Sequence, residues 1–153
     1  MSTLLAIDLG LRSGLAWLGE DGRLLRYRSV SFADSRLFKA GAASILSDDR
    51  HEVTEVVAEG DPRLARVWSR ELARRGIALE LIAAEAWRPS LLLPRERRDK
   101  HAAKAAADRF ARQMIDWSGC ARPTSLTHDV AEAICIATWG ALQRGWLDGV
   151  PFR

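Results

Sequence analysis

The chain has 153 residues, 48% of them apolar, and a formal net charge of +3. That length fits one domain spanning 1–153 with a real core. No apolar run approaches the ~20 residues needed to cross a bilayer, and no basic segment precedes an apolar one at the N-terminus, so neither a membrane span nor a signal peptide is expected. Cys120 and Cys135 lack CxxC spacing, which argues for free thiols in a cytoplasmic protein and against zinc.

The first element is a buried strand over residues 3–9, built on Leu4-Leu5-Ala6-Ile7 and closed by Asp8. A second strand covers 14–19, the Asp21-Gly22 pair signals a hairpin, and a third strand covers 23–32. Asp34 suits the N-cap of a helix over 35–47. A short buried strand at 53–58 leads to Glu59, and Asp61-Pro62 starts a helix that stops at Gly76. Residues 77–83 read as a fifth strand, followed by a loop with Pro89 and Pro94. A helix over 99–117 ends at Gly119, and Thr127 or Ser125 caps a last helix to Arg144. The order βββαβαβαα predicts an α/β fold: a mixed five-stranded sheet, first an antiparallel meander and then parallel strands, with helices on both faces.

Strands one and four are neighbours in such a sheet, so Asp8 and Glu59 come together at their ends. Asp129 and Glu132 are three apart and share one face of the last helix. At an effective dielectric of ~20, each pair of carboxylates ~4 Å apart repels by about 4 kcal/mol. A cation relieves that repulsion, and an all-carboxylate cluster selects Mg²⁺ or Mn²⁺. Two such ions, about 4 Å apart, can activate water against a phosphodiester. Taken singly, each acid has a plainer reading: a turn cap for Asp8, a solvated strand end for Glu59, a first-turn helix acid for Asp129. His128, beside Asp129, is either a further metal ligand or general acid, or a polar residue near the cap. Charge adds a second signal. Arg88 to Arg112 holds eight basic residues against three acids, either a solvated helix face or a nucleic-acid contact.

These residues resemble a known family. Asp8-Leu9-Gly10 with Ser13-Gly14 resembles the first strand and hairpin of RuvC-type nucleases, in the RNase H-like superfamily. Val57-Ala58-Glu59 resembles their fourth strand, and Asp129 to Ile134 their last helix, with two acids three apart. Asp99-Lys100 and Lys104 fall where such nucleases carry basic residues. The resemblance covers nearly the whole chain. It implies an Mg²⁺- or Mn²⁺-dependent endonuclease with two ions per site, usually a homodimer, that resolves four-way DNA junctions. Asp8, Glu59, Asp129 and Glu132 would then be the metal-binding catalytic acids. Lys100 and Lys104 would then contact DNA phosphate, and Arg88, Arg95, Arg97 and Arg98 of the basic block are further candidates for nucleic-acid contact.

The chain departs from the pattern in three places. Glu132 stands where Asp is usual, His128 offers an alternative ligand, and Pro62 stands where some members carry a stacking aromatic residue. Trp87, beside Arg88, either replaces that aromatic by stacking on a base or belongs to the core. Trp17, Trp68, Trp117 and Trp139 fit the core, with Trp68 or Trp117 alternatively at a dimer interface. Residues 146–152 pack back onto the domain or onto a partner. Three other functions remain open at this level: a YqgF-like RNA nuclease, a module that binds junctions without cutting, and a phosphotransferase. The last would need a second domain that 153 residues do not hold.

Overall fold

Strand β1 (Thr3–Asp8) lies at the centre of a five-stranded sheet ordered β3-β2-β1-β4-β5. The computed structural model describes residues 1–48 and 50–153. β2 (Arg12–Gly19) and β3 (Leu24–Ser31) run antiparallel to their neighbours, while β4 (Glu55–Glu59) and β5 (Leu79–Ile82) run parallel to β1. The β2–β3 turn uses Asp21-Gly22 as expected: Gly22 has φ +83° and Asp21 Oδ1 accepts from the Arg23 amide at 3.0 Å.

Side-chain alternation divides the core. From β1, Leu4 and Ala6 enter one apolar layer, and Leu5 and Ile7 the other. From β4, Val57 joins the first layer, and Val56 and Ala58 the second. Both faces are therefore covered, which explains the uninterrupted apolar runs of β1 and β4. Helices α1 (Ser35–Ser47) and α2 (Pro62–Ala73) cover one face through Phe38, Ala42, Trp68 and Leu72. Helices α3 (Ala84–Leu91), α4 (Lys100–Ser118) and α5 (His128–Gln143) cover the other. The expected caps form: Asp34 Oδ1 accepts from the Leu37 amide at 2.9 Å, and Asp61 Oδ1 from the Arg63 amide at 2.8 Å. Among the described residues, no helix is long and apolar enough to cross a membrane.

Several boundaries differ from the sequence reading. The segment read as a loop around Pro89 contains helix α3, and Pro94–Arg97 forms a 3-10 turn. Pro89 lies in the second turn of α3, where its missing N–H removes only the bond back toward Glu85 near the helix start. Burial of Trp87 and Leu91 holds the helix in place. β5 starts at Leu79 rather than at residue 77, because the Ile77 amide closes α2 on the Leu72 carbonyl at 3.0 Å. β4 is Glu55–Glu59 rather than 53–58, so Glu59 belongs to the strand. Thr127 stands at the N-cap of α5, but its hydroxyl makes no capping bond. Trp17, Trp68 and Trp139 are buried; Trp117 is half-buried, with the Arg23 guanidinium 4.1 Å over its ring. The C-terminal residues fold back: Phe152 meets Phe110 edge-on at 5.0 Å, and Trp146, Leu147 and Val150 line the same layer. Both cysteines are free.

α5 is the central helix. It is buried from Val130 to Ala141 and apolar on every side except at Glu132 and Thr138. Its first turn crosses β2 with no room for a side chain. A Cβ on Gly14 would stand 1.9 Å from the Asp129 carbonyl oxygen. At the other end, a Cβ on Gly140 would meet only the tip of Leu4, at 2.6 Å. Gly14→Ala is therefore expected to destabilise the protein by about 3 kcal/mol, the upper part of the overpacking range. Gly140→Ala should cost less, because Leu4 can rotate and alanine is worth ~1 kcal/mol over glycine in a helix. Urea denaturation of both variants measures the difference, and equal losses would contradict the close approach at Gly14.

Candidate metal centre

Asp8 and Glu59 close two adjacent parallel strands and are direct partners in the β1–β4 register. Alternation sends both side chains to the face of the sheet covered by α3 and α5, since Asp8 shares parity with Leu4 and Ala6, and Glu59 with Val57. On the other side of β1, Asp8 pairs with Gly14, the residue over which α5 begins. The glycine lets α5 descend far enough for its first turns to reach the strand ends. Glu132 completes the group: one carboxylate oxygen from each of Asp8, Glu59 and Glu132 lies within 4.8 Å of the others.

Of the four acids singled out from the sequence, three are thus gathered. Asp129 stands at the rim. Its Oδ2 accepts from Ser29 Oγ at 2.7 Å, and its Oδ1 lies 3.6 Å from Arg12 Nε. His128 turns toward Glu132, with Nε2 2.7 Å from Oε1, so the structure places it against an acid of the cluster rather than within the cluster. Arg88 also turns inward, its Nη2 3.2 Å from Glu132 Oε1. Glu132 is therefore only 6% exposed and is flanked by two nitrogen donors.

For Trp87 the structure decides between the two readings in favour of the core. Its ring is fully enclosed, so it belongs to the core and offers no stacking face. Its indole Nε1–H donates to Glu59 Oε1 at 2.7 Å. Neither this bond nor the Arg88–Glu132 pair was read from the sequence, because both depend on α3, which Pro89 disguised. Gly14 did carry a signal, since glycine inside a strand marks a close backbone approach. Arg88 apart, the basic residues singled out from the sequence lie outside the cluster. Lys100 opens α4 and Lys104 follows one turn later on the same face, both exposed. Arg95, Arg97 and Arg98 are exposed in and just after the 3-10 turn.

The electrostatics follow from this crowding. Burial, then the charges of Glu132, Glu59 and Asp129, push the Asp8 carboxyl up to about 8 from its ordinary 3.8, against a smaller opposing effect of Arg88. Burial also raises Glu59, and the Trp87 hydrogen bond partly opposes that rise. Three clustered carboxylates, one of them driven to hold a proton at neutral pH, form a donor set that fits a hard divalent cation.

No protein-family model matches the chain, and no curated protein matches it. Solved structures do. RuvC of T. thermophilus, in complex with a Holliday junction substrate, superposes with a TM-score of 0.65 over 95% of this chain and 96% of its own, at 17% identity. A ROK family protein from Streptococcus pneumoniae TIGR4, in complex with sucrose, matches 57% of this chain and 36% of its own at TM-score 0.45 and 16% identity. The catalytic core domain of BIV integrase matches 89% of this chain and 79% of its own at TM-score 0.37 and 9% identity. The fold is RuvC-like, and its mixed five-stranded sheet, an antiparallel meander followed by parallel strands, is the one expected from the sequence.

The raised Asp8 value makes metal-free stability depend on pH. The folded protein keeps a proton on Asp8 that the unfolded chain releases near pH 3.8, so stability falls as pH rises from there to about 8. Asp8→Asn removes that dependence. In chelator, the variant is expected to melt above the parent by a margin that is small near pH 4, grows through neutrality and levels off above pH 8. Thermal melts across this range measure it. A margin that does not change with pH would show that Asp8 ionises without hindrance.

Proposed function

We propose that this protein is a divalent-metal-dependent endonuclease acting on branched DNA, with a four-way junction as the first candidate substrate. The observation that carries the reading is the Asp8–Glu59–Glu132 cluster. Its place at the ends of two parallel strands in a RuvC-like fold supports it. The T. thermophilus RuvC of the same fold is described in complex with a Holliday junction substrate. The exposed basic segment after α3 provides a surface for a polyanion.

In this reading Asp8, Glu59 and Glu132 hold Mg²⁺ or Mn²⁺. The two-ion form draws in Asp129, with His128 as the other candidate beside it. When bound, the ions would supply a water of lowered pKa and offset the charge developing at phosphorus. Water adds to phosphorus, the bond to one bridging oxygen breaks, and that oxygen leaves as a hydroxyl after taking up a proton, the water's own proton passing to solvent. Asp8, whose carboxyl is raised by burial and by three neighbouring acids, gains most from a cation. Arg88 balances the charge of Glu132. Lys100, Lys104, Arg95, Arg97 and Arg98 hold backbone phosphates and set the register of the strand without reading bases. A homodimer would present two such centres for paired cuts on one junction.

The test compares cleavage of a four-way junction, a linear duplex, a splayed arm and an RNA stem-loop with Mg²⁺ or Mn²⁺ present. Junction cleavage that falls to background in chelator and in Asp8→Asn is the expected result. Tight junction binding with no cleavage under any divalent ion would make the protein a binding module. Preferential cutting of the stem-loop would make it an RNA nuclease. A separate prediction concerns the basic surface. Lys100→Ala should leave metal binding unchanged and lower the slope of log K against log salt by about 1 for the junction. Fluorescence anisotropy over a salt series reads that slope, and an unchanged slope would remove Lys100 from the interface.

A further inference from the structure

Trp87 is fully buried at the back of the cluster, and its indole N–H points at a carboxylate rather than at a backbone carbonyl. Packing alone does not require this. Phenylalanine would fill an apolar cage equally well, and a fully buried tryptophan of this protein, Trp68, leaves its indole N–H unpartnered, so packing a tryptophan does not by itself bring a carboxylate to it. Here the partner is one particular oxygen, Glu59 Oε1, at 2.7 Å. The ring has little freedom to move away. α3 has no side-chain N-cap and contains Pro89, so local propensity does not hold it. Burial of Trp87 and Leu91 does, helped by Arg153, whose Nη1 donates to the Leu91 carbonyl at 2.7 Å.

We infer that Trp87 is a positioning residue that makes Glu59 a single-oxygen ligand and biases the centre toward Mg²⁺ and Mn²⁺ over Ca²⁺. The indole bond engages Oε1 and leaves Oε2 for the cation. A glutamate held this way suits the strict six-coordinate geometry of Mg²⁺. Ca²⁺ takes six to eight oxygens and gains from a glutamate that can offer both. The inference rests on the metal-centre reading above and adds a selectivity device to it. Trp87 touches neither substrate nor cation. It acts through Glu59, as hydrogen-bonding partners of ligands generally do, with effects on metal affinity of ~10–100-fold.

The experiment measures Mn²⁺ binding by the resonance of free Mn²⁺ and Ca²⁺ binding by calorimetry, on the parent, Glu59→Ala and Trp87→Phe. The parent is expected to bind Mn²⁺ and Glu59→Ala to lose it. If the parent binds no Mn²⁺, the metal centre itself is refuted. Trp87→Phe is expected to bind Mn²⁺ about tenfold more weakly, with Ca²⁺ affinity unchanged or higher. Equal or parallel changes for both ions would show a merely structural tryptophan and overturn the inference. Should Trp87→Phe not fold, the unmodified chain labelled with ¹⁵N-tryptophan serves instead. The Trp87 indole N–H resonance should stay downfield and protected from exchange when Mg²⁺ is saturating. Its loss on adding Mg²⁺ would mean that the bond does not survive in the loaded site, which also overturns the inference.

Discussion

The register between β1 and β4 places Asp8 directly beside Glu59, at the ends of two strands whose other residues are almost entirely buried. That adjacency concentrates negative charge where water is scarce, and much of the surrounding structure responds to it. Burial and three neighbouring carboxylates push Asp8 to about 8. Trp87 donates to Glu59, Arg88 and His128 flank Glu132, and Ser29 with Arg12 hold Asp129 at the rim. Each acid except Asp8 has its own nitrogen or hydroxyl partner among the described residues. Asp8 is left with the largest electrostatic debt, and a cation would relieve it most.

Two backbone features make that concentration possible. Parallel pairing brings strand ends of the same polarity to one edge of the sheet, where ligands of open α/β sheets commonly bind. Gly14 then removes the side chain that would hold α5 away from the strands. Without that glycine, α5 could not approach the strand ends as closely, and Glu132 would stand farther from Asp8 and Glu59. The sheet supplies Asp8 and Glu59, and the helix contact supplies Glu132, so the cluster depends on the packing of two layers rather than on any one element.

The sheet was legible in the sequence because its signals are local and strong. The apolar run before Asp8, the Asp21-Gly22 turn and the Asp61-Pro62 start each name an element type on their own. Strand adjacency followed from the order of the elements, and with it the nearness of Asp8 and Glu59. The helical acids were half legible. Three-residue spacing put Asp129 and Glu132 on one face, but spacing cannot say which of them a partner on β3 will claim, and Ser29 claims Asp129. α3 was not legible, because a proline normally ends a helix and only tertiary burial of Trp87 and Leu91 overrides that tendency. Every contact that α3 makes to the cluster was lost with it, and Trp87 was left between core and surface.

α3 also links two parts that the sequence shows as separate. It carries Trp87 and Arg88 against the acids, and it runs directly into the 3-10 turn and α4, where Arg95, Arg97, Arg98, Lys100 and Lys104 are exposed. The C-terminal residues fasten this stretch: Arg153 donates to the Leu91 carbonyl, and Phe152 packs on Phe110 of α4. A phosphate backbone drawn onto the basic residues would therefore bear on the same rigid segment that sets the orientation of Glu59 and Glu132. In the proposed reading, substrate contact and carboxylate placement would share one support. That explains why Arg88 lies at the boundary, the first cation of the basic block in sequence and the only one of its arginines and lysines paired with an acid of the cluster among the described residues.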